Sequence, residues 1–310
     1  MNPNPAGLKT FIRFFAYLGG VVALACLLSP PLYWIGNSLA QRGILPIVDG
    51  FPFHRYFSRS VQISAVILLW PAFRGIGIRR LSDLGMQPNR LWKSDLAWGF
   101  LLALAPLVAL GSVYLLTGIF AFKSQWEISS FFRICGTAAA VGTIEELLFR
   151  GVLLGLALRI MPPWAATILS SACFALVHFL RTSRQVFDEP VGWLSGFQQV
   201  PLVFSSAPPW PLLGWGILSL FLAGIVLAFG TLRTRSLFIP IGLHAGWIVG
   251  QQSLQLIARF CPKPPDTFLP WVGPNVVNGA VPTGLVPFFT LLATSALVWV
   301  YLKYAAPRRS

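Results

Sequence analysis

Eight apolar runs, each near the length a helix needs to cross the roughly 30 Å hydrocarbon core of a bilayer, dominate this 310-residue chain. They cover residues 11–34, 56–73, 96–120, 131–158, 164–180, 211–231, 237–257 and 285–304. Composition agrees: 55% of residues are hydrophobic and 10% charged, where a soluble domain carries about a quarter charged residues. The expected fold class is therefore all-α, a polytopic helical membrane protein of about eight transmembrane helices. With no internal repeat, low-complexity stretch or soluble appendage, residues 1–310 read as a single integral-membrane domain.

Lys and Arg in short loops mark the cytoplasmic side. With the N-terminus inside, that side receives the larger share, from Lys9 and Arg13 through Arg74, Arg79, Arg80, Arg90, Lys93 and Arg159 to Arg233, Arg235, Lys303, Arg308 and Arg309. An even number of crossings then puts both termini in the cytoplasm, as expected for a multi-pass protein of the cell (inner) membrane. The apolar run after Lys9 and Arg13 passes through Ser29-Pro30-Pro31 without a convincing cleavage site, so it reads as a retained first span, with Cys26 a packed thiol. Two longer connections, residues 181–210 with Asp188 and Glu189, and residues 259–284, rich in Pro and Gly, are expected on the membrane surface.

The net charge of +14 is spread over short loops without a basic stripe or recognition motif. Anionic lipid is the expected partner, and nucleic acid is not. Cys26, Cys135, Cys173 and Cys261 show no C-x-x-C spacing, so neither a disulfide framework nor a thiolate metal site is expected.

Against this background two adjacent carboxylates stand out, Glu145 and Glu146 in the apolar stretch Ala138-Ala-Ala-Val-Gly-Thr-Ile-Glu-Glu-Leu-Leu-Phe-Arg-Gly. A carboxylate at mid-bilayer costs about 2.5–3.5 kcal/mol on insertion scales, so a tandem pair calls for a compensating role. Arg150 follows Glu146 by one helical turn and can share its burial through a charge-assisted hydrogen bond. Glu145 points about 100° away around the helix and is the freer carboxylate, a candidate general base. The chain has 3 histidines, and two of them, His178 and His244, fall in apolar runs.

A carboxylate and an imidazole converging from neighbouring helices can hold a water and take its proton. A second imidazole can then donate to the oxyanion of an attacked amide. Peptide hydrolysis fits such a set. No G-x-S-x-G elbow is present, and Ser170, Ser171 and Cys173 form no recognisable nucleophile motif. No cofactor is expected. A divalent metal, zinc above all, held by Glu145, His178 and His244 is the alternative, although the H-E-x-x-H spacing is absent.

The set Glu145-Glu146-x-x-x-Arg150, then Phe174-x-x-x-His178, then His244 in the penultimate span resembles the CPBP family of intramembrane peptidases, the type II CAAX prenyl endopeptidases and bacteriocin-processing proteins. The likeness covers about residues 131–250, with a peptidase core of about 131–258. It implies Glu145 as the water-activating glutamate, Glu146 and Arg150 as its supporting pair, His178 as a second water-positioning group and His244 as part of the oxyanion site. Such enzymes, once described as metalloproteases, are better explained as glutamate-dependent. The family commonly carries Asn or Asp four residues after the last histidine, where this chain has Ile248; Gln251, seven residues after His244, returns to nearly the same helical face.

The function expected from these readings is an intramembrane endopeptidase acting on a membrane-anchored protein or peptide, lipid-modified or not. Ile248 motivates the alternative of a non-catalytic immunity or scaffold protein of the same fold. A proton-coupled transporter ranks last, because no inverted repeat or broken-helix pair is visible.

Overall fold

The computed structural model describes residues 5–179, 190–205, 210–261, 276–277, 281–282 and 284–305. The eight apolar runs are helical over most of their described residues. The chain forms two compact units, Met1–Arg79 with His178–Ala207, and Arg80–Val177 with Pro208–Ser310.

In the first unit, α1 (Pro5–Gln41) lies antiparallel to α2 (Phe53–Gly75). Arg13 near the start of α1 donates to the Gly75 carbonyl at the end of α2 (2.7 Å), and Tyr17 donates to Ala65 O (3.0 Å). Further along α1, Tyr33 sets its ring edge-on to Phe53 and Tyr56. The helix α7 (Ser195–Ser205) packs on α1 where Gly196 meets the Cys26 carbonyl, an approach that leaves no room for a Cβ. Part of the 181–210 connection is thus a packed helix rather than a surface loop. Residues 181–189, with Asp188 and Glu189, and 262–275 lie outside the described residues.

The second unit is organised by α3 (Trp92–Leu116) and α9 (Phe238–Ile257), which run parallel and in close contact. Gly242, Gly246 and Gly250 recur every four residues on α9 and form one stripe. A Cβ at Gly242 would strike the Leu96 carbonyl and one at Gly246 the Phe100 carbonyl, while Gly99 of α3 meets Ile239 O in the same way. Small residues let two backbones approach this closely, the usual means by which membrane helices gain packing energy where lipid offers no hydrophobic drive. The opposite side of α9 receives α4 (Ile128–Glu146), whose Gly142 lies against Ala245 and His244. Gly246→Ala is expected to destabilise the protein by about 1–3 kcal/mol, as overpacking does, read as a lower apparent melting temperature in detergent. Gly136→Ala, whose new Cβ meets nothing within 4 Å, is the control and should leave that temperature unchanged or slightly raised.

The helix begun by α4 continues through a π-helical segment, Leu147–Leu154, into the single turn α5 (Gly155–Ala157). Next come α6 (Pro163–Val177), α8 (Trp210–Thr234) and α10 (Leu285–Ala305). Gly224 of α8 rests on Ser171 of α6, and Tyr301 of α10 donates to the buried Asp95 in the first turn of α3 (3.0 Å). The third apolar run is shorter than expected: α3 stops at Leu116, the chain turns at Gly118 in the left-handed region (φ 73°), and β1 (Phe120–Phe122) pairs antiparallel with β2 (Ala258–Phe260). A second ribbon joins β3 (Val276–Val277) to β4 (Val281–Pro282).

Among the described residues, 4 helices are long and apolar enough to cross a membrane: Gly7–Gln41, Trp92–Leu116, Leu213–Thr234 and Leu285–Tyr304. The protein is a helical membrane protein, but the expected count of about eight crossings is met by these four only. Physically, α6 is short at 15 residues, and α2, α4 and α9 carry arginines, glutamates or glutamines that lower their apolar character.

Candidate active site

Glu145 and Glu146 are the last two residues of α4, immediately before the π-helical segment. π-Turns inside α-helices are rare and frequent at functional sites, because the extra residue per turn re-aims the side chains around it. Here the segment carries Arg150, which is fully enclosed by protein.

Glu146 is completely buried, and its Oε1 accepts two hydrogen bonds, from Arg150 Nη1 at 2.9 Å and from His244 Nδ1 at 2.8 Å. Because an ionised carboxylate only accepts, Nδ1 carries the proton in this pair, and the imidazole turns its Nε2 edge the other way. That edge faces Glu145, whose Oε2 is 3.8 Å from Nε2. The separation is too long for a direct hydrogen bond. Glu145 also differs in access, with its side chain 29% exposed against 8% for His244 and none for Glu146.

Arg150 also donates through Nη2 to the Gly224 carbonyl of α8 (3.3 Å), and its guanidinium lies over the Phe174 ring, 4.3 Å from the centroid. Phe174 in turn meets His244 edge-on (5.8 Å) and Phe149 edge-on (5.2 Å). The imidazole is therefore held by a carboxylate through Nδ1 and by a perpendicular aromatic ring, from α4 and α6 respectively. A cation, two carboxylates and an imidazole close together offset one another's charge, the condition under which such groups tolerate burial.

Thus Glu145, Glu146, Arg150, Phe174 and His244 come together on α4, the π-helical segment, α6 and α9. His178 lies in the turn directly after α6, four residues past Phe174, is half-buried, and belongs to the first unit. Gln251 is half-buried on α9, and Ile248 holds the intervening turn. Phe149 and the Gly224 carbonyl were not foreseen; a backbone acceptor and one more Phe in an apolar run leave no mark in the sequence. Among the described residues, no group of three or more His, Cys, Asp or Glu is arranged to hold a metal ion.

Residues 127–249, which span α4 to α9 and contain every member of this cluster, match the family model described as type II CAAX prenyl endopeptidase Rce1-like. No curated protein and no solved structure matches the chain.

Proposed function

We propose that this chain, whose residues 127–249 match the type II CAAX prenyl endopeptidase Rce1-like family model, cleaves a peptide bond in a membrane-anchored protein or peptide, with Glu145 as the residue that activates water. The observation that carries the proposal is the order Arg150–Glu146–His244–Glu145, linked at 2.9, 2.8 and 3.8 Å. One carboxylate holds the imidazole, and the other is partly exposed.

In this mechanism a water sits against Glu145, and His178 keeps the water-positioning role that the family resemblance implies. Glu145 takes a proton from it as the oxygen attacks the scissile carbonyl carbon, and the carbonyl becomes an oxyanion. His244, carrying a proton on Nε2 as well as Nδ1, donates to that oxyanion, and the Glu146 carboxylate offsets the positive charge of the ring. Collapse of the tetrahedral intermediate breaks the C–N bond, and the proton on Glu145 passes to the leaving amine. Atoms and charge balance without a cofactor. Zinc held by Glu145, His178 and His244 is the competing account of the same residues.

We further propose that α2, α4, α6 and α9 complete about eight crossings, with both termini on the cytoplasmic side of the cell membrane and anionic lipid around the basic loops. The substrate class is a membrane-bound tail, prenylated or bare, presented near the bilayer surface.

The test is cleavage of prenylated and unmodified peptides by the detergent-purified protein, compared with Glu145→Ala and His178→Ala and repeated with a zinc chelator. Both variants should lose cleavage and the chelator should not matter. Unaltered cleavage by both variants ends the assignment, and chelator-sensitive cleavage transfers it to the metal form. Should peptide turnover be absent while Glu145→Gln keeps the cellular phenotype, the chain works by binding, as Ile248 suggests.

A further inference from the structure

Two buried amides on α9 have no task in that mechanism. The Nε2 atoms of Gln251 and Gln255 are each enclosed by protein, and neither has a hydrogen-bond partner among the described residues. A buried N–H donor without an acceptor destabilises a fold, and more so where lipid replaces water. Both residues are half-buried as a whole, so rotation about the end of the side chain can bring the amide to an incoming acceptor.

Their placement is regular. Gln251 and Gln255 follow His244 by seven and eleven residues, which puts both within about 20° of it around the helix. They stand away from the Gly242–Gly246–Gly250 stripe that faces α3. Along the axis they lie about 10.5 and 16.5 Å beyond His244, at 1.5 Å per residue. An extended peptide advances about 3.3 Å per residue, so the two amides match its third and fifth residues counted from the bond at His244. Residues two apart in an extended chain turn their carbonyls the same way, and the roughly 6 Å between the glutamines fits that repeat.

We propose that Gln251 and Gln255 form a subsite that donates hydrogen bonds to two alternate backbone carbonyls of an extended substrate, on one side of the scissile bond. This rests on the peptidase reading above and deepens it. The enzyme takes a tail that is unfolded for at least five residues on that side, and it reads main chain rather than side chains there. The subsite also gives Gln251 a role separate from the oxyanion, so Ile248 needs no replacement from it.

Binding is measured apart from turnover, in the Glu145→Gln background, with a fluorescein-labelled farnesylated peptide carrying ten residues before its CAAX box. A set of peptides shortened from that end accompanies it, and a second set is extended beyond the box. Gln251→Leu and Gln255→Leu should each raise Kd about tenfold, the value of one hydrogen bond, and raise the apparent melting temperature because an unpartnered amide is gone. The difference from the parent should vanish for peptides with fewer than three residues on the side concerned. Equal Kd for all variants, or a loss that persists on the shortest peptides, overturns the subsite. If the Glu145→Gln protein binds none of the peptides, subsite and substrate class fall together. Intact length-dependent binding with no turnover by the wild type removes the peptidase and leaves the subsite standing.

Discussion

Glu145→Gln is expected to lower kcat by on the order of 10³-fold, with KM nearly unchanged, in single-turnover and steady-state cleavage of a membrane-anchored peptide. The substitution keeps the shape of the side chain and removes its ability to take a proton. Its neighbourhood favours a clean result. Glu145 has the partly exposed carboxylate, and His244 Nε2 lies 3.8 Å from its Oε2. Glutamine keeps the volume and one carbonyl oxygen of the side chain at a partly exposed position, so thermal stability in detergent should change by no more than about 1 kcal/mol. The same change at Glu146 has another character, because there the carboxylate holds both Arg150 and His244. Glu145→Gln losing only a few-fold in kcat while Glu146→Gln loses far more would reverse the two roles and make Glu146 the base.

The contrast between the glutamates also marks where sequence reasoning reaches its end. Ionisable residues in an apolar run are conspicuous because lipid penalises them, so Glu145, Glu146, Arg150 and His244 can be found without coordinates, and Phe174 follows from its motif. The structure brings those five side chains into one cluster. Which carboxylate holds the imidazole is not written in the sequence. It depends on how the π-helical segment after Glu146 re-aims Arg150 and on where α9 crosses α4, and the crossing is set by close backbone contacts at Gly142 and along the glycine stripe facing α3.

Helices are legible for a similar reason, since apolar runs in lipid have few alternatives, yet their role is not. Run length does not separate a helix that faces lipid from one wrapped by protein. α9 is the example: Phe238 to His244 is buried throughout, and its glutamines and histidine are accommodated by neighbouring helices rather than by hydrocarbon. α7 escaped notice for the opposite reason. It is 11 residues long with Pro201 inside, carries no spanning signal, and is helical where Gly196 allows it to settle on α1.

Arg150→Met should destabilise the protein by about 3–5 kcal/mol, the usual consequence of removing one partner from a buried ion pair. Glu146 would keep its charge with only His244 to meet it, in a place with no access to water. Adding Glu146→Gln to Arg150→Met removes the stranded charge, and its amide oxygen can still accept from His244 Nδ1, so the double variant should recover most of the loss. In a double-mutant cycle this appears as a coupling energy of about 2–3 kcal/mol, measured by unfolding in a fixed detergent. Activity should not return with stability, because a neutral amide cannot offset the positive charge of the doubly protonated His244 ring that donates to the oxyanion. The pair then acts on chemistry through His244 and on the fold through charge, and the cycle separates these. A double variant as unstable as Arg150→Met alone would show that Arg150 holds the site by its contacts with the Phe174 ring and the Gly224 carbonyl, with the charge of Glu146 playing no part in the loss.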